Sequence, residues 1–135
     1  MQTDFAERRR HIRVYFDATE EMECECSHGA GATKMLQASV LDLSLGGLHL
    51  SVTGEFNFAT GDRIVLTRLR HRTGLVSVEE IPLEIRWVFA QAEFSRLYMG
   101  CRFLELPEES RGNIANLISV KLLESSTARF SPPND

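Results

Sequence analysis

Apolar and polar residues alternate with a period of two through most of this chain. Leu36, Ala38 and Val40 form one such run, and Leu48, Leu50 and Val52 form another. Ile81, Leu83, Ile85, Trp87 and Phe89 make the longest, and Leu97, Met99, Cys101 and Phe103 follow it. A period of two buries one face of a strand and wets the other, which is the antiparallel pattern. Shorter runs at 14–16, 22–26 and 64–69 add weaker strands. Gly29-Ala30-Gly31, Gly46-Gly47, Gly61-Asp62 and Gly74 separate the runs and are expected to supply the positive φ angles of hairpin turns. From 107 to 123 the period changes: Ile114, Leu117, Ile118 and Leu122 have helical spacing, and Pro107, Glu108 and Glu109 suit a helix start. The pattern predicts a mainly β fold, a small barrel followed by one C-terminal helix that plugs or flanks it.

The 135 residues fit one domain. The apolar fraction is 43% and the charged fraction 25%, as in ordinary globular proteins. No apolar run reaches the roughly 20 residues of a membrane helix, and residues 1–7 lack the apolar stretch of a secretory signal, so a cytoplasmic location is expected. The three cysteines agree, because an odd count without an export signal argues against a disulfide framework. The 14–124 stretch is expected to be the folded barrel and helix. Residues 1–13 are expected to be a flexible arm and 125–135 a disordered tail with Pro132-Pro133.

The net charge of −4 argues against a general nucleic-acid binder, but its distribution is uneven. Arg8, Arg9, Arg10 and Arg13 fall within six positions, just before the first strand. Arginine offers a planar fork for phosphate and for the Hoogsteen edge of guanine, and it stacks on flat rings. In an extended chain Arg9 and Arg13 would lie about 13 Å apart on one side, a span that suits a ligand with several acceptors. A second constellation is Asp42-Leu43-Ser44-Leu45-Gly46-Gly47, where one strand turns into the next. A carboxylate accepts two hydrogen bonds from the N1–H and N2–H₂ edge of guanine, a hydroxyl donates to phosphate, and glycine lets backbone N–H groups approach a ligand. Taken singly, the first constellation equally describes a solvated charge run, and the second a turn whose Asp and Ser bond their own backbone.

Together and in this order they resemble the PilZ domain family. Arg9-x-x-x-Arg13, preceded by Arg8, matches its first motif, and Asp42-x-Ser44-x-x-Gly47 matches its second. Met99-Gly100-Cys101-Arg102-Phe103-Leu104-Glu105-Leu106 is similar to the family's last strand leading into its helix. The resemblance covers residues 7–124 and implies a six-stranded antiparallel β-barrel that binds the bacterial second messenger cyclic diguanylate (c-di-GMP). It implies that Arg9 and Arg13 hold phosphates and guanine edges and that Arg8 or Arg10 stacks on a base. Asp42 would read guanine, Ser44 would hold a phosphate, and Gly46 and Gly47 would permit close approach. On this reading the chain is not an enzyme, has no cofactor beyond its nucleotide ligand, has no membrane segment, is not expected to bind nucleic acid, and signals to an unknown protein.

Three alternatives follow from other features. One is an adaptor of the same fold that acts by protein contacts without a nucleotide. Another is an oligonucleotide-binding barrel, which needs exposed aromatics on one sheet face; Trp87 and Phe89 stand in an alternation that assigns them to the core, and Phe56 and Phe58 fall in a loop. The third is a zinc site, since Cys24, Cys26 and His28 share one side of a straight strand, with Cys101 as a fourth ligand. Against zinc, Met22, Cys24 and Cys26 read equally well as the buried face of that strand. No phosphate-binding loop, nucleophile elbow or Cys/His catalytic pattern is present.

Overall fold

The computed structural model describes residues 11–29 and 34–129. Eight strands and one α-helix follow one another: β1 (Val14–Tyr15), β2 (Glu23–His28), β3 (Lys34–Leu43), β4 (Gly47–Thr53), β5 (Arg63–His71), β6 (Gly74–Val76), β7 (Ile81–Gln91), β8 (Arg96–Phe103) and α1 (Glu108–Arg129). Six of them close a barrel. The order β3-β2-β5-β7-β8-β4 returns to its start through pairing of β3 with β4, and all pairs are antiparallel. β1 and β6 are short additions. β1 continues the edge of β3 beyond β2, and β6 extends the edge of β5 beyond β7. This is the mainly β barrel with one terminal helix that the alternation predicts.

The inward residues form one core. Leu43, Leu48, Leu50, Leu66, Ile81, Leu83, Ile85 and Met99 are fully buried. Two β-bulges change which residues join it. In β3, Val40 faces Leu50 and Asp42 faces His49, so Leu41 is an extra residue. In β7, Ile85 faces Cys101 and Trp87 faces Gly100, so Arg86 is extra. An extra residue inverts the in/out parity of everything beyond it. Leu43 therefore turns inward and Asp42 outward. Trp87 and Phe89, expected in the core, point to solvent instead and are 41% and 57% exposed, while Val88 packs against the core in their place.

Helix α1 docks through Ile114 and Ile118, both buried, with Leu117 and Leu122 beside them. Lys121 forms an ion pair with Glu20 and sits over the Phe16 ring, 5.6 Å from its centre. Ser110 Oγ accepts from the Glu79 amide at 2.8 Å, and Asn113 Nδ2 donates to Ser77 O at 2.9 Å. The helix thus spans the segment after β1 and the loop after β6. It runs to Arg129, past the expected end near 123 and into the stretch 125–135 expected to be a disordered tail. The physical reason is that Ser125, Ser126 and Thr127 weaken a helix only mildly, and the chain meets no proline before Pro132. Among the described residues no helix is long and apolar enough to cross a membrane.

The cysteines belong to the core. Cys24, Cys26 and Cys101 are free and buried, with Cys24 Sγ 4.0 Å from Cys26 Sγ. The contact with Cys26 and burial raise the Cys24 thiol well above its ordinary range, and burial pushes Cys101 up to about 12. Such thiols are poor nucleophiles and poor ligands. His28 packs edge-on against Phe58 and Phe56, with ring centres 5.2 and 6.0 Å away. Among the described residues no three His, Cys, Asp or Glu side chains converge as metal ligands.

If Ile114 anchors the helix, Ile114→Ala should cost about 2–5 kcal/mol, the range for truncating a fully buried isoleucine. Urea unfolding followed by circular dichroism measures it. A loss under about 1 kcal/mol would mean that the helix is not part of the cooperative unit.

Candidate functional site

The bulge at Leu41 aims Asp42 at the outside of the barrel, but the carboxylate does not meet water. Asp42 is only 4% exposed. Its Oδ1 pairs with the Arg13 guanidinium, and its Oδ2 lies 2.7 Å from His49 Nδ1. Both partners are placed by register. Tyr15 of β1 faces Asp42, so Arg13 lies one step before that strand, and His49 of β4 faces Asp42 from the other side. The same register row continues through Gly100 of β8 to Trp87 of β7. Five strands therefore bring Tyr15, Asp42, His49, Gly100 and Trp87 into one line across the barrel wall.

Gly100 is a glycine because the Trp87 indole lies on it: a Cβ there would stand 2.1 Å from Trp87 Nε1. The indole leans against His49, with ring centres 5.1 Å apart and planes at 58°. Next to this row the turn after β3 closes. The Ser44 amide donates to Gly47 O at 2.9 Å, Gly46 N donates to Ser44 Oγ at 3.1 Å, and the Phe103 amide donates to Gly46 O at 2.9 Å. The Ser44 hydroxyl is buried within the turn and serves the local backbone, as the turn reading of this motif expects. Gly46 and Gly47 do not supply the positive φ expected of them; among the described glycines that conformation occurs at Gly29, Gly54, Gly61 and Gly74. The reason for glycine at 47 is space, since a Cβ would lie 2.1 Å from the Cys101 carbonyl oxygen.

The result is an open groove. Its walls include His11, Arg13, Ser44, Gly46, Gly47, His49, Arg86, Trp87 and Arg102. It combines two arginines from β7 and β8, one from the arm, backbone at a glycine turn and an aromatic face. Such a set binds anions and flat rings. Arg102 Nε donates to Glu84 Oε1 at 2.7 Å, and Arg86 lies 3.6 Å from the same oxygen. That hydrogen bond, together with the charges of Arg102, Arg86 and Arg63, holds the Glu84 carboxyl below its ordinary value.

Of the residues expected at the site, Arg13, Ser44, Gly46 and Gly47 line the groove, and Asp42 lies beneath Arg13 and His49. Arg8, Arg9 and Arg10 lie outside the described residues. Arg86, Trp87, His49, Gly100 and Arg102 were not anticipated. The signal for His49 was present, two residues after Gly47 on the outward parity of β4. Trp87 was hidden by the bulge, which no alternation pattern reveals.

The family model described as the PilZ domain matches residues 7–119, and the chain belongs to that family. Its fold is shared with the PilZ domain of YcgR from Escherichia coli, a structure with c-di-GMP. The TM-score is 0.63 and the identity 17%, over 92% of this chain and 99% of that one. It is also similar to a K. pneumonia MrkH–c-di-GMP complex, with TM-score 0.64 and 19% identity over 90% of this chain and 55% of that one. The motility inhibitor MotI/DgrA of Bacillus subtilis gives 0.67 and 13%, over 87% and 52%. The chain thus spans about half the length of the latter two. A search of curated proteins finds no match.

Trp87 is the only tryptophan, so its emission reports this groove alone. Gly100→Ala should force the indole off the sheet and shift its emission to longer wavelength, while circular dichroism stays that of the wild type. An unchanged emission spectrum would contradict the packing of Trp87 on Gly100.

Proposed function

We propose that this chain is a receptor for c-di-GMP. The observation that carries the reading is the Arg13–Asp42–His49 cluster, set beside the Gly47 turn and the open Trp87 face in a PilZ domain. The complexes of related folds with that nucleotide support it. The ligand carries two phosphates and two guanines, and the groove offers a partner for each kind of group. Arg9 and Arg13 take phosphate oxygens and guanine O6/N7 as bidentate donors, and Arg8 or Arg10 stacks on a base. Asp42 accepts from the guanine N1–H and N2–H₂ edge. To do so it must share or release the Arg13 guanidinium, which frees that group for phosphate. Ser44 donates to a phosphate oxygen by giving up its long bond to Gly47 O, and Gly46 and Gly47 leave room for the phosphate. Trp87 closes the groove on the side away from the arm.

Ligand binding exchanges partners at Arg13, the first described link between the arm and the barrel. The new surface formed by arm and ligand is then what a downstream protein reads, an order–disorder switch of the kind ligand contacts can bias. The cytoplasm is the compartment in which such a receptor works.

Arg9→Ala and Arg13→Ala should each weaken c-di-GMP binding at least tenfold, read by Trp87 fluorescence, with circular dichroism unchanged. Wild-type affinity in both would sink the arginine assignment, and a wild-type chain that ignores the nucleotide would leave an adaptor that works by protein contacts alone.

Asp42→Ala should lower the preference for c-di-GMP over cyclic diadenylate, because adenine lacks the paired N1–H and N2–H₂ donors. Competition between the two nucleotides measures it. Unchanged discrimination would make Asp42 a strut for Arg13 and nothing more.

A further inference from the structure

The outer face of β7 and β8 continues beyond the nucleotide groove, from Trp87 to a row of aromatic rings that line no part of that groove. Phe89 and Tyr98 are register partners on these strands, and their rings stack, with centres 6.2 Å apart and planes at 30°. Trp87 lies two residues along β7 from Phe89, about 6.7 Å at the rise of a strand, and both rings face out. The turn that follows adds Phe94, 65% exposed. The large apolar side chains exposed on this face are all aromatic; the exposed aliphatic ones, Ile12, Met35, Leu41, Leu75, Val120 and Leu123, lie on other elements. Aromatic rings with arginines beside them also occur at protein contacts, so the charge around the rings is what distinguishes the partner.

The charge around the rings has one dominant sign. Arg86 and Arg102 are more than half exposed, and Arg96 is fixed on the face by a 3.1 Å hydrogen bond from Nη1 to Ser51 Oγ. Arg63 stands opposite Glu84 in the register, so three arginines surround that one carboxylate. Glu93 is a second acidic group, at the turn, and Arg96 also borders a groove that holds Asp17, Glu21 and Glu23. Positive charge is in excess here although the whole chain is negative.

We propose that this face binds single-stranded nucleic acid. Successive bases stack on Trp87, Phe89 and Tyr98, and the phosphates between them meet Arg86, Arg96 and Arg102. Aromatic rings on a sheet with arginines beside them are the means by which barrels hold single strands with little regard to sequence. A duplex keeps its bases stacked inside and cannot use the rings. The inference reverses the expectation that nucleic acid is no partner, which rested on the net charge of −4 and on placing Trp87 and Phe89 in the core. The face shares Trp87, Arg86 and Arg102 with the c-di-GMP groove, while Phe89, Tyr98 and Arg96 lie outside that groove, so substitutions at 89 and 98 test the proposal separately.

The test is fluorescence anisotropy at low salt with fluorescein-labelled oligothymidylate, oligouridylate and a duplex, each of about a dozen nucleotides. Both single strands should bind the full chain, and the duplex should bind more weakly. Phe89→Ala and Tyr98→Ala should each weaken binding about tenfold, with circular dichroism and thermal unfolding unchanged, and Phe89→Tyr should retain it. Raising the salt should weaken binding with the shallow slope of two or three phosphate contacts. Failure of the wild type to bind either single strand would overturn the proposal. So would a duplex that binds as tightly, or alanine variants at 89 and 98 that both bind like the wild type.

Discussion

The carboxylate of Asp42 is the group on which the site depends. It is nearly sealed from water, a placement that is tolerable only because each oxygen has a partner: the guanidinium of Arg13 on one and the imidazole of His49 on the other. Removing one partner of such a group leaves a buried charge without compensation, which is far more costly than losing a surface ion pair. The cluster therefore does structural work before any ligand arrives. It ties the end of the arm to β3, and β3 to β4, at the point where the glycine turn opens the barrel wall. The same contacts keep Arg13 pointed at the groove, so part of the ordering that binding needs is already done.

The backbone device behind this placement is the β-bulge, used twice. At Leu41 it sends a carboxylate outward that a regular strand would have driven into the core, and at Arg86 it does the same for an indole and a phenyl ring. Both bulges fall on the row that carries Tyr15, Asp42, His49, Gly100 and Trp87. Bulges occur next to functional sites because they re-aim side chains at small cost to the ladder. In this barrel they separate two tasks. The regular parts of β3 and β7 build the core, and the parts beyond each bulge build the outer surface.

Much of the fold was legible in the sequence because burial imposes period two on strands and period 3.6 on helices. The alternating apolar residues of β3 up to Val40, of β4, of β8 and of the first half of β7 fall inward on that rule, and Ile114 and Ile118 show the docking face of α1. The motif residues Arg13, Asp42, Ser44 and Gly47 were legible as chemistry, and the structure brings all four together. What was not legible depends on register. Trp87 and Phe89 read as core because Ile81, Leu83 and Ile85 share their parity, and one extra residue at Arg86 inverts it. Gly100 reads only as part of the last strand, yet it is the bed of the Trp87 ring. Gly47 reads as a positive-φ turn residue and as room for a ligand, but the neighbour that excludes a Cβ is the Cys101 carbonyl, 54 residues away in the chain, which no local pattern reveals.

As proposed above, the groove takes the cyclic dinucleotide rather than guanine nucleotides in general, because its two phosphates and two guanines would be met at once by the arm, the Asp42 cluster and the turn. Isothermal calorimetry of the wild-type chain with c-di-GMP, GTP and cyclic GMP tests that claim directly. The expected result is saturable binding of c-di-GMP in the micromolar range or tighter, about −8 kcal/mol or beyond, and no measurable heat from the two mononucleotides. Equal binding of all three, or no heat from c-di-GMP, would contradict it.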